Sequence, residues 1–167
     1  MSKLVEPSSE YLDGNIEFLK ELLDEGEITK EEYDTKIALR KNIGTYLESL
    51  SKLDKDDLGL HVYWLVDNDV FIGTFRLNER LNDKQRKGGG NIGYEIRPSK
   101  HRQGYGTEIL RLGLLKAKEL GMKEILINCR EDNTASRKII ENNGGVFIKS
   151  VPDESGDPNS LWYKIKI

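Results

Sequence analysis

Residues 96–110 read Ile96-Arg97-Pro98-Ser99-Lys100-His101-Arg102-Gln103-Gly104-Tyr105-Gly106-Thr107-Glu108-Ile109-Leu110, and the fold is decided there. Upstream, Asn91-Ile92-Gly93-Tyr94-Glu95-Ile96-Arg97 has the composition of a core strand, which Pro98 stops. Downstream, Ile109, Leu110, Leu112, Leu114, Leu115, Ala117 and Leu120 predict a well-buried helix over 106–120, closed by Gly121. The connection is basic and carries two glycines. Amide hydrogens at a helix start lack internal acceptors, the helix dipole adds partial positive charge, and Gly104 and Gly106 remove side chains that would hold a ligand off the backbone. Lys100, His101 and Arg102 add side-chain donors, so the turn suits a pyrophosphate held by the backbone of Arg102, Gln103, Gly104, Tyr105, Gly106 and Thr107. A lone Gly-x-Gly serves as a plain strand-to-helix turn equally well. The dinucleotide fingerprint Gly-x-Gly-x-x-Gly fails because Ile109 stands third, and a P-loop fails for want of Gly-Lys-Ser/Thr.

Working outward, Leu12, Ile16, Leu19, Leu22 and Leu23 predict an amphipathic helix over 8–25 ending near Gly26. Thr29 with Glu32 fits a capping box and opens a second helix running to about Ser51. Residues 60–66 and 70–77 form two β-rich runs around Asp67-Asn68-Asp69, a hairpin. A polar stretch, 78–87, leads to Gly88-Gly89-Gly90. After the central helix come a short strand at 125–127, a helix from Asn133 to Asn142, and strands at 146–148 and 161–167. This order describes an α/β (α+β) fold with a mixed sheet in a single domain, 1–167, whose first 55 residues are helical.

The turn at 101–106, His101-Arg102-Gln103-Gly104-Tyr105-Gly106, resembles the Gln/Arg-x-x-Gly-x-Gly/Ala motif of the GCN5-related N-acetyltransferases, with His101 replacing the usual Gln or Arg. A second mark lies downstream, where Asn133-Thr134-Ala135-Ser136 and a helix lead to Gly145-Val146-Phe147. Residues 60–167 resemble the family throughout, and 92–99, Ile-Gly-Tyr-Glu-Ile-Arg-Pro-Ser, is similar to a group of bacterial predicted acetyltransferases. The resemblance implies a mainly antiparallel sheet with a splayed parallel strand pair and acetyl-CoA as cosubstrate. It also implies pantetheine pairing with the backbone of Tyr94 and Ile96, His101 at the phosphates, and Asn133 and Ser136 near the pantetheine arm. Asn133 reads equally well as a helix cap. The expected reaction is direct acetyl transfer to a primary amine in a ternary complex, the acceptor entering between the N-terminal helices, the 78–90 segment and the 151–160 loop. A CoA-binding or sensing domain without catalysis is the alternative reading.

A protonated amine must lose a proton before it attacks a thioester. Glu95 is the candidate base by position, with a salt link as its competing role and Glu79 in reserve. Many family members protonate the departing thiolate from a tyrosine where this chain has Ile140; Tyr163 could replace it only if the fold brings it to the cleft, and Tyr105 reads as packing beside the loop. Cys129 reads as inert packing rather than a covalent carrier.

Composition bounds the partners. Lone Cys129 forms no internal disulfide, and His61 and His101 have no zinc-like spacing, so a reducing compartment and no metal are expected. Lacking a signal-like start or an apolar run of about 20 residues, the chain is expected to be cytoplasmic and away from membranes. A net charge of −3 predicts no general attraction to nucleic acid. The acceptor is a small-molecule or peptide amine. A homodimer is compatible with the sequence, and Trp64 and Trp162 read either as core or as chain-pairing residues.

Overall fold

The computed structural model describes residues 1–54, 57–153 and 155–167. The chain forms two antiparallel sheets. The first has the order β1 (Lys3–Val5), β2 (Leu60–Asp67), β3 (Val70–Asn78), β4 (Ile92–Ile96). The second has the order β5 (Glu124–Arg130), β7 (Ser160–Lys166), β6 (Val146–Val151), with β7 in the middle. The hairpin lies where its sequence predicts: Asn68 and Asp69 take positive φ of 48° and 61°, the pair of left-handed residues that matches strand twist in a two-residue turn.

The helices are α1 (Leu12–Asp24), α2 (Lys30–Ala38), α3 (Ile43–Leu53), α4 (Asp83–Gly88), α5 (Tyr105–Glu119) and α6 (Thr134–Asn142). The Thr29–Glu32 capping box is present in both directions, at 3.2 and 2.8 Å. The single helix expected from there to Ser51 is instead two. Asn42 turns extended and accepts from the Thr45 N–H at 2.9 Å, starting α3 afresh. Inside the polar stretch 78–87, Asn82 caps the short α4 in the same way. The strand β1 gives little signal because three residues are too few to show alternation.

Two cores share the β2–β3 hairpin. On one face α1 to α3 cover the first sheet around Phe18, Leu19, Leu22, Tyr46, Trp64 and Phe71. On the other face α5 and α6 lie over both sheets, burying Leu65, Phe75, Ile109, Leu110, Ile127 and Tyr163. Each such side chain contributes roughly 1.5–3 kcal/mol when fully buried. Trp64 and Trp162 are 0% and 2% exposed, so both are core residues.

The sheets meet at Asn91. Its N–H donates to Leu126 O (2.7 Å), its Oδ1 accepts from Leu126 N–H (2.8 Å), and its Nδ2 donates to Asn78 O (2.9 Å). Among the described residues no further backbone bond joins β4 to β5. Asn91, just before β4, thus meets Leu126, near the start of β5, and with α5 connecting the two strands no ladder bond joins them beyond this junction.

Candidate active site

The opening between β4 and β5 follows from the register. Asn78 N–H donates to Asn91 O and Arg97 N–H to Ile72 O, so the alternating antiparallel pattern commits Gly93 and Glu95 to β3. Tyr94 and Ile96 therefore turn their N–H and C=O groups toward the gap. The carbonyl of Ile96 already accepts from His101 Nε2 at 2.8 Å. This ring nitrogen carries the hydrogen, and the exposed imidazole braces the strand end.

The basic turn has the geometry of an anion cradle. Arg102 and Gly104 take φ of 59° and 85°, and Gly104 caps α5 with open space where a Cβ would stand. Among the described residues, no backbone or side-chain acceptor takes the N–H groups from Arg102 to Thr107; the first bonded amide is Glu108, to Gly104 O at 3.1 Å. Amides left in this way at a helix start point their partial positive charge at the same space. Gly106 has a different reason for lacking a side chain. A Cβ there would stand 2.5 Å from Ile139 Cδ1, so its absence lets α6 pack on α5, a correction to the reading that both glycines clear space for a ligand. Gln103 Nε2 donates to Ser99 O (3.2 Å), and Tyr105 OH donates to Asp67 Oδ2 (3.1 Å), fixing the turn to its own strand end and to the hairpin.

Across the opening Tyr94 reaches α6. Its hydroxyl lies 3.0 Å from Ser136 Oγ, while Asn133 Oδ1 caps α6 by accepting from Ser136 N–H at 2.9 Å. Burial, the largest cause, pushes the Tyr94 phenol up to about 12, against the opposing effect of the hydrogen bond shared with Ser136. The phenol is neutral at ordinary pH and able to donate a proton. Its side chain is the group that sequence reading missed: tyrosine in a strand ordinarily signals core, and the contact with Ser136 spans 42 residues. Ile140 is fully buried, so no proton donor stands at that position, and Tyr163 is core with its hydroxyl on Glu141 (3.3 Å). Cys129 is buried and burial raises its thiol pKa, which keeps it protonated.

Glu95 faces the opposite side of the first sheet, onto a cleft of about 570 Å³ between α1–α3 and β2–β4. It makes no ion pair among the described residues, so the salt-link role is not found. Although Glu95 is open to solvent by area, the protein around its carboxylate raises its pKa, chiefly by burial and then by the charge of Glu27; Lys36, Arg76 and His101 oppose the rise. The cleft is lined by the N-terminal helices as expected, but the described residues of the 78–90 and 151–160 segments do not line it, and Glu154 lies outside the described residues. Glu79 is bound to His61 at 2.7 Å, outside that lining.

The unpartnered amides at the start of α5, the β4 edge at Tyr94 and Ile96, and the Glu95 carboxylate on the opposite face of the sheet are the three parts of the site. The family model for the acetyltransferase (GNAT) domain matches residues 17–146, most of the chain. The chain belongs to the GNAT family. Comparison with curated protein sequences gives no match. Solved GNAT-type folds superpose over nearly the whole chain. RimL, a ribosomal-protein α-N-acetyltransferase in complex with coenzyme A, is 16% identical with a TM-score of 0.69, covering 99% of this chain and 94% of its own. The microcin self-immunity acetyltransferase MccE, in complex with acetyl-CoA and AMP, is 15% identical with a TM-score of 0.70, covering 99% and 92%. The Paia N-acetyltransferase of Thermoplasma acidophilum, in complex with coenzyme A, is 15% identical with a TM-score of 0.64, covering 100% and 99%. These likenesses establish the GNAT fold. No helix among the described residues is long and apolar enough to cross a membrane, and no group of His, Cys, Asp and Glu among them is arranged to hold a metal.

Proposed function

We propose that this GNAT chain transfers acetyl from acetyl-CoA to a primary amine. The observation that carries the reading is the run of unpartnered amides from Arg102 to Thr107 at the mouth of the β4–β5 opening. Those amides suit the pyrophosphate, and the N–H and C=O of Tyr94 suit an amide-bearing arm laid along β4 as an extra strand. Arg102 and Lys100 add charge, while His101 shapes the strand end through Ile96. When bound, acetyl-CoA supplies the activated thioester carbonyl.

The chain's own residues then manage protons. Glu95 takes one from the acceptor's ammonium group, directly or through water, and its raised pKa makes it a better acceptor than an ordinary glutamate. Tyr94, paired with Ser136, holds a proton for the departing sulfur. A thiol pKa near ~8.5 makes sulfur a fair leaving group even without that help.

The test is thioester consumption, followed as free thiol, with acetyl-CoA and a panel of amines. Turnover with any amine supports the reading. Tight CoA binding with no amine turned over supports a CoA-binding domain without catalysis. A homodimer is also part of this reading: edge strand β6 exposes Val146, Phe147 and Ile148 at 68%, 54% and 45%, an apolar edge that pairing with a second copy would cover. Sedimentation of Phe147→Lys against the parent chain tests it, a parent that remains monomeric at high concentration counting against pairing. The free thiol of Cys129 suits a reducing, cytoplasmic setting.

A further inference from the structure

The cleft on the Glu95 face is lined by three cations, Lys36, Arg40 and Arg76, none of which forms an ion pair among the described residues. Arg40 is half-buried. Its Nε donates to Asn15 Oδ1, its Nη1 donates to Lys36 O at 2.9 Å, and its guanidinium lies 4.7 Å from the centre of the Tyr46 ring. Both hydrogen-bond partners are neutral, and burial lowers the Arg40 pKa, the sign of a charge held at a cost. Lys36, one turn earlier, and Arg76, on β3 beside Glu95, likewise form no ion pair among the described residues, although both line the same cleft. Elsewhere Arg97, Arg111, Arg130 and Arg137 each hold a carboxylate within 3.3 Å or less, while Arg86 and Arg102 form no ion pair among the described residues.

The acidic side of the cleft is weaker. Glu32 is engaged in capping α2, accepting from the Thr29 N–H at 2.8 Å, and Glu31 is exposed. That leaves Glu95 as the carboxylate set among Lys36 and Arg76, whose charges both act on it. Buried charges in folded proteins are ordinarily paired, and an arginine fork fits a planar carboxylate or a phosphate better than a neutral partner. A volume of about 570 Å³ is within the range of small-ligand sites.

We propose that the acceptor amine carries its own anionic group, a carboxylate or phosphate, which Arg40, Arg76 and Lys36 hold while the amine faces Glu95. The inference rests on the acetyl-transfer reading and names the acceptor class for it. Polyamines fit less well, because their additional ammonium groups would be repelled by Lys36, Arg40 and Arg76, with only the exposed Glu31 and the capping Glu32 to offset them. Free amino acids, aminoalkyl phosphates and the N-terminus of an acidic peptide present the same chemistry.

The experiment measures kcat/KM with acetyl-CoA and five amines: glutamate, phosphoethanolamine, an acidic tripeptide with a free N-terminus, butylamine and spermidine. The same compounds are titrated calorimetrically into the CoA-saturated protein. The anionic amines should exceed butylamine and spermidine by at least about tenfold, and the best of the three identifies the source of the anion. Arg76→Ala, a change at an exposed position, should remove most of that advantage through KM, and added salt should reduce it. Arg40→Gln should do the same, and Lys36→Met keeps the test open if the Arg40 variant does not fold. Equal or better use of spermidine or butylamine, or an anion preference unchanged in Arg76→Ala, overturns the proposal while leaving acetyl transfer standing. Arg76-dependent binding of the anionic amines with no turnover of any amine supports the anion site and removes the acetyl-transfer reading.

Discussion

Asn91 and Leu126 exchange two hydrogen bonds, 2.7 Å from the Asn91 N–H to Leu126 O and 2.8 Å from the Leu126 N–H to Asn91 Oδ1. With the Asn91 Nδ2 on Asn78 O, one buried side chain fastens β3 and β5 at the root of the β4–β5 opening. The gap beyond is thus pinned at one end and free at the other.

Asn91→Asp retains the shape and the acceptor but loses the donor to Asn78 O. It should lower stability by about 1–3 kcal/mol, the usual consequence of leaving a buried polar group unpaired. Thermal melting should register this as a fall of roughly 2–12 °C for a chain of this size. An unchanged melting temperature would mean that the junction does not depend on this side chain.

Glu95→Gln should leave melting nearly unchanged, because no ion pair is lost, and should lower turnover by a factor on the order of 10²–10⁴. For the parent chain, the base works when ionised, so turnover should rise with pH through a midpoint above the ordinary glutamate value of ~4.3. Near-normal turnover in the variant would make water the proton acceptor.

Tyr94→Phe keeps the ring and removes the hydroxyl that meets Ser136. The expected loss in kcat is about tenfold, below the usual range for acid catalysis because a thiolate already leaves well. CoA affinity should stay within about twofold, since the backbone at Tyr94 is what faces the opening. A parallel loss of kcat and affinity would assign the hydroxyl to binding.

Arg97 is buried, and its Nε donates to Glu21 Oε1 at 2.9 Å, while Ser99 gives Glu21 both its N–H (3.0 Å) and its hydroxyl (2.9 Å). Burial acts to raise the Glu21 pKa and is outweighed by these bonds, so the net shift is downward. A depressed folded pKa stabilises the chain fully above the unfolded value, and that contribution disappears as pH falls through the folded one. Glu21→Gln should therefore melt roughly 3–12 °C lower at pH 7, from about 1.5–3 kcal/mol of charged hydrogen bonding, and the difference should shrink below pH 4. A difference that persists at pH 3 would show that the loss does not come from the charge.

What was legible in the sequence was what depends on near neighbours. The helix start at the basic turn, the Thr29–Glu32 box and the Asn68–Asp69 turn each rest on residues within a few positions, and each is where the residues place it. The split between α2 and α3 was local but competed with an apolar period that continued across it. Other features were distant in the chain. Nothing near Tyr94 announces Ser136, nothing near Arg97 announces Glu21, and the Asn91 side chain looks like any polar residue after glycine. His101 could be read as a phosphate donor because its reach back to Ile96 depends on the conformation of the intervening turn.

The free amides from Arg102 to Thr107 are the proposed seat of the pyrophosphate. Amide-resolved NMR during titration with acetyl-CoA tests that placement directly, with acetyl-pantetheine, which lacks the nucleotide and its phosphates, as the control. Large shifts at these amides are expected with acetyl-CoA and small ones with the control. Saturable acetyl-CoA binding that leaves these amides unmoved would contradict it.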